Sequence, residues 1–93
     1  KGIYLITDTN SGKQYVGSAY GEAMIWGRWQ AYVLTGHGGN EALKNLSFEY
    51  IKQHFQYSIL EIADGKSSDK YIFEREIWWK KALLTRTFGY NMN

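Results

Sequence analysis

Two β-rich runs, GIYLIT at residues 2–7 and QYVGS at 14–18, flank the turn-forming cluster DTNSGK. Extended, partly aromatic segments this close together have one economical arrangement, an antiparallel hairpin. If Thr7 pairs with Gly12, Tyr4 lies directly opposite Tyr15 and the two rings share a face. Both runs carry apolar residues at odd and even positions, which predicts a sheet covered on both sides.

The remaining periodicities supply that cover. Ile25, Trp29 and Tyr32 fall at i, i+4 and i+7, so residues 22–35 read as a helix, with Arg28 in the same stripe. Gly36-His37-Gly38-Gly39 breaks it, and Asn40 reads as the N-cap of a second helix over about 41–54. FQYSILEI (55–62) is a third strand. Asp64-Gly65 and Ser67-Ser68 mark a loop, 69–84 is the last strong helix, and 85–93 is a tail. The order β-β-α-α-β-α predicts an α+β fold, a small three-stranded antiparallel sheet flanked by helices.

Composition sets limits. Ninety-three residues, 44% of them apolar and 17% aromatic, make one domain with one core. No segment has the length of a membrane span. The chain opens at Lys1 and ends two residues after Asn91, and we read 1–93 as a single domain cut from a longer protein, or as a processed chain. The absence of cysteine excludes disulfides, a cysteine nucleophile and a cysteine-zinc site, and fits a reducing cytoplasm. A net charge of +2 hints only weakly at an anionic partner, and Lys80-Lys81 is the one basic pair. A protein that held DNA by charge alone would carry more.

Several residues stand out chemically. In the last helix the apolar positions Ile72, Phe73, Ile77, Trp79, Leu83 and Leu84 are expected to form one face, with Glu76 inside it. Glu74, about 200° round the helix, shares the solvated side with Lys70 and Lys81. A carboxylate aimed at a core needs a partner or a cation, and an ion pair with Arg28, or a place at the edge of the stripe, is the structural alternative to a metal. Arg28 itself clamps a phosphate or stabilises a pentavalent transition state, or else snorkels along Trp29. Tyr4 and Tyr15 are core tyrosines or phenols that orient an attacking water, and a phenol titrating near ~10 is a poor base unless a cation activates it. Gly2 and Gly17 allow close backbone approach beside those rings. Tyr32, one turn after Arg28, contacts the same phosphate or packs. His37 is a proton shuttle or an exposed loop histidine. Asn91 is a turn residue, or an amide that folds back to orient a site group. With no carboxylate cluster to hold two metals, the natural reading is a single Mg²⁺ on Glu76, completed by water and phosphate.

Gly2-Ile3-Tyr4 and Tyr15-Val16-Gly17, followed in order by Arg28, Glu76 and Asn91, resemble the GIY-YIG nuclease domain over essentially the whole chain. The segment Glu74-Arg75-Glu76, then Trp78 and Gly89-Tyr90-Asn91, is similar to the end of the homing-endonuclease branch. The resemblance implies a metal-dependent endonuclease cutting DNA by direct attack of water. Tyr4 and Tyr15 would flank the scissile phosphate, with Arg28 and Tyr15 binding it. Glu76 would hold Mg²⁺, with Mn²⁺ as a substitute, Asn91 would support the site, and Tyr32 and His37 would complete it. Tyr32, where homing enzymes often carry histidine, and Ser18, where the repair branch tends to carry lysine, leave the branch open. A further DNA-recognition domain outside this chain is expected. Two rivals are a non-catalytic nucleic-acid-binding module on the same scaffold and a protein-interaction domain with Trp78 and Trp79 as anchors.

Overall fold

In a computed structural model, which describes residues 1–19 and 43–92, the chain is an α+β domain. Three strands, β1 (Gly2–Asp8), β2 (Gln14–Ala19) and β3 (Phe55–Ile62), form an antiparallel sheet in the order β2-β1-β3. Helix α1 (Phe48–His54) precedes β3, α2 (Asp69–Leu83) follows it, and a short α3 (Thr85–Phe88) opens the tail. The helix predicted over 22–35 lies outside the described residues, as do Arg28, Tyr32 and His37.

The hairpin forms, but its register differs from the expected one. Thr7 pairs with Gln14, Ile6 with Tyr15 and Tyr4 with Gly17. Asp8 is the cause. Its backbone stays in β1, donating to the Lys13 carbonyl at 2.9 Å, while its carboxylate accepts from the backbone of Asn10 (3.0 Å) and Ser11 (3.2 Å). The loop therefore begins one residue later on each strand. A shift of two leaves side-chain faces unchanged, so Tyr4 and Tyr15 still share a face, as diagonal rather than direct neighbours.

The sheet is covered on both sides. On one face Tyr4, Ile6 and Leu43 pack with Tyr15, Leu46, Phe55, Tyr57 and Tyr90. On the other, Ile3, Val16 and Ile72 pack with Leu5, Leu60, Trp79 and Leu83. A bulge adjusts β3 to this second face. Partners of β1 jump from Ile59 to Glu61, leaving Leu60 unmatched. Both Leu60 and Glu61 then turn toward α2. Glu61 accepts there from Arg75 Nε and from Trp79 Nε1, each at 2.8 Å, and the Arg75 hydrogen bond holds its carboxyl below the usual range.

Two helix boundaries differ from expectation. Residues 43–46 form a turn and a bend, and α1 starts at Phe48, because the Ser47 hydroxyl accepts from the Tyr50 N–H at 3.1 Å and caps it there. Ser68 caps α2 in the same way. At the far end of α2, Leu84 is left-handed (φ 54°), so it leaves the helix and is 52% exposed. The packed stripe of α2 is also narrower than predicted. Ile72, Glu76, Trp79 and Leu83 lie within about 60° of one another, whereas Phe73 and Ile77 sit roughly 100–140° from Ile72 and are exposed. Trp78 and Trp79 divide accordingly. Trp79 is part of the core, and Trp78 is half-exposed beneath the Arg75 guanidinium, 4.8 Å from its ring centroid.

Asp8 joins the hairpin to the rest of the domain. Fully buried, it accepts from the Tyr50 hydroxyl at 2.6 Å and the Tyr90 hydroxyl at 2.5 Å. Burial alone would raise its carboxyl, but the hydrogen bonds from Tyr50, Tyr90 and Ser11 outweigh it and hold the pKa at about 2. Burial and the same carboxylate push the Tyr90 phenol up to about 12. A carboxyl depressed on folding stabilises the fold above its unfolded pKa, near 3.8, and that contribution is lost as pH falls through about 2. We expect Asp8→Asn to lose on the order of 1–2 kcal/mol at neutral pH, after allowance for screening at the turn. The mutant's urea midpoint, followed from pH 7 to pH 2, should fall less than the wild type's. Equal slopes would remove Asp8 as a source of acid sensitivity.

Candidate active site

Gly17 explains how Tyr4 is held. A Cβ at this position would overlap Tyr4 Cζ and Oη and lie 2.7 Å from Cε2. The Tyr4 ring therefore lies across the bare backbone of Gly17, with its hydroxyl end over the edge strand β2. Tyr4 is 1% exposed, and Tyr15 on the same face is half-buried. One phenol is locked in place and the other belongs to a half-buried residue packed at the edge of the same cluster. Gly2 pairs with Ala19 at the far end of the hairpin and is buried.

Ser18, the next residue along β2, points to the opposite face. Its hydroxyl donates to Glu76 Oε1, and Lys80, one turn further along α2, meets Glu76 Oε2 at 2.8 Å. The Glu76 side chain is 14% exposed and that of Lys80 8%. Glu76 thus lies inside the packed stripe, as its spacing predicts, and Ser18 and Lys80 are its partners among the described residues. The Tyr4 ring and the Glu76 carboxylate thus meet β2 at adjacent residues, Gly17 and Ser18.

Asn91 holds the outer edge of that strand. Its Oδ1 accepts from the Val16 N–H at 2.8 Å and its Nδ2 donates to the Val16 carbonyl at 3.0 Å. Buried to 5% exposure, this amide behaves as a one-residue neighbouring strand. Tyr90 N–H adds a bond to the Gln14 carbonyl at 2.8 Å. Gly89 makes the approach possible, since a Cβ there would overlap the Gln14 oxygen and sit 2.8 Å from the Thr85 oxygen. Asn91 therefore positions the backbone between Tyr15 and Gly17.

The donor set can be tested against a divalent cation. A carboxylate offers about four lone-pair positions, and Ser18 and Lys80 engage one on each oxygen of Glu76. Acceptor capacity remains for one hard cation completed by water and phosphate oxygens. No group of three or more acidic, histidine or cysteine side chains that could hold a metal occurs among the described residues. The residues present fit a single ion.

Sequence reasoning passed over Lys80 as a site residue and treated Ser18 only as a departure from a motif. The Glu76–Lys80 spacing of four was the available signal for the first. Ser18 needed the register. Among the described residues no helix is long and apolar enough to cross a membrane.

Two solved structures resemble this arrangement. The catalytic domain of intron endonuclease I-TevI, in a glutamate-to-alanine mutant form, is 31% identical, with a TM-score of 0.71 over 99% of this chain and 92% of that one. The catalytic domain of homing endonuclease I-TevI is 32% identical, with a TM-score of 0.68 over 99% of this chain and 97% of that one. No family model and no curated protein matches.

Gly17→Ala should destabilise the domain by about 1–3 kcal/mol, the usual cost of overpacking. Tyr4→Ala empties the space that the new methyl needs. A double-mutant cycle should therefore show strong coupling between the two positions. Additive losses would mean that the ring is not held against Gly17.

Proposed function

This chain belongs to the GIY-YIG nuclease family and is an endonuclease of that type; on that premise we propose that it hydrolyses DNA phosphodiester bonds with one divalent cation held by Glu76. The observation that carries this reading is the placement of a largely buried carboxylate and a locked phenol against adjacent residues of one edge strand. Mg²⁺ suits the donor chemistry, and Mn²⁺ would substitute for it.

The chain's own residues divide the work. Tyr4, fixed over Gly17, orients the attacking water with little freedom to be lost in the transition state. Tyr15, half-exposed, contacts the phosphate. Arg28 stabilises the charge that builds on the phosphoryl oxygens. Tyr32 and His37 assist at the phosphate and the leaving oxygen. When bound, the cation supplies Lewis-acid stabilisation of the phosphoryl oxygens and of the departing alkoxide. Ser18 and Lys80 keep Glu76 directed at it. Asn91 acts through β2, keeping Tyr15 and Gly17 in register.

We place the domain in the cytoplasm, on its cysteine-free composition. Its weak net charge implies that DNA recognition is shared with a domain or partner outside 1–93.

The reading is tested by nicking of supercoiled plasmid at low salt, with Mg²⁺ and with chelator. Glu76→Ala, checked for folding, should abolish metal-dependent nicking, and Arg28→Ala should slow it by about 10²–10³. Nicking that survives in folded Glu76→Ala would place the cation elsewhere.

A further inference from the structure

Lys80 is the least expected member of this site. Its residue exposure is 7%, and its ammonium lies 2.8 Å from the carboxylate assigned to the metal. Elsewhere that stripe is apolar, with Ile72, Trp79 and Leu83 packed on the sheet. An exposed helix gains a few tenths of a kcal/mol from such an i, i+4 pair. A covered one carries desolvation costs that an apolar residue would avoid.

Its electrostatic consequence is direct. Glu76 and Lys80 together carry no net charge. A divalent cation approaching Glu76 meets an ammonium already at the carboxylate, and like charges at such separations repel substantially in a partly buried setting. A lone carboxylate is a weak site for Mg²⁺ in any case, and phosphate oxygens usually complete it. A DNA phosphodiester would bring the negative charge that the neutral pair lacks.

Resting on the reading of Glu76 as the metal ligand, we propose that Lys80 is a resident counter-ion. It holds Glu76 in its productive rotamer and keeps affinity for free divalent metal low until a DNA phosphate arrives. Metal and DNA binding are then mutually reinforcing, with Lys80 as a positioning residue that sets the strength of that coupling.

The test is metal binding, independent of turnover. Free Mn²⁺ is titrated by electron paramagnetic resonance against wild type, Lys80→Gln and Lys80→Arg, each first checked for a cooperative melt. Lys80→Gln should bind Mn²⁺ on the order of ten-fold more tightly in the absence of DNA. Lys80→Arg, which keeps the cation, should stay near wild type. If Lys80→Gln does not fold, Lys80→Met, whose apolar chain suits the stripe, takes its place. The titration is repeated with a short duplex in a Tyr4→Phe background, so that the DNA stays intact, with metal bound by the duplex alone subtracted. DNA should tighten Mn²⁺ binding markedly with Lys80 present and much less without it. Unchanged or weaker affinity in Lys80→Gln, or DNA enhancement equal in both, would overturn the proposal. Glu76→Gln in each background separates the two readings. If Mn²⁺ binding does not depend on Glu76, the metal assignment itself fails. If it depends on Glu76 but not on Lys80, only the counter-ion role fails.

Discussion

The pairing of Tyr4 with Gly17 is the constraint on which the site depends. It sets which residue lies beneath the phenol, and therefore which residue comes next on the opposite face. With this register Ser18 meets Glu76, and Val16 presents its backbone to Asn91. A one-residue slip would reverse every side chain of β2 and dissolve all three contacts together. The six residues of β2 are held by β1 on one side, the tail on the other, and α2 beneath.

Three covered carboxylates are satisfied in three chemically different ways. Asp8 is surrounded by neutral donors, two phenols and two backbone N–H groups. Glu61 has a guanidinium and an indole fixed around it. Glu76 has a hydroxyl and a lysine ammonium. The first two environments serve architecture, since their donors are built into the packing and approach from several directions. At Glu76 the charge partner lies one turn along the same helix.

Much of this was legible in the residues. The three strands, the long final helix and the inward position of Glu76 follow from periodicity, because burial of one face imposes it. The hairpin register did not follow, because it turned on whether the Asp8 side chain would cap the loop or lie within it. The start of α1 turned in the same way on a choice between two polar caps, Asn40 and Ser47. The breadth of the apolar face of α2 was overestimated because Phe73, Ile77 and Leu84 are apolar without lying on the packed stripe. Asn91 was legible as a residue with a purpose. Its actual partner, a backbone 75 positions away, was not.

That separation has a kinetic side. The amide of Asn91 and the backbone of Val16 meet only when nearly the whole chain has been brought together, and long-range closures form late and slowly. During synthesis, the outer edge of β2 stays open until the tail has been made. The phenols can then be in place before the strand carrying one of them is secured. Competence to cut is thus tied to completion of the domain.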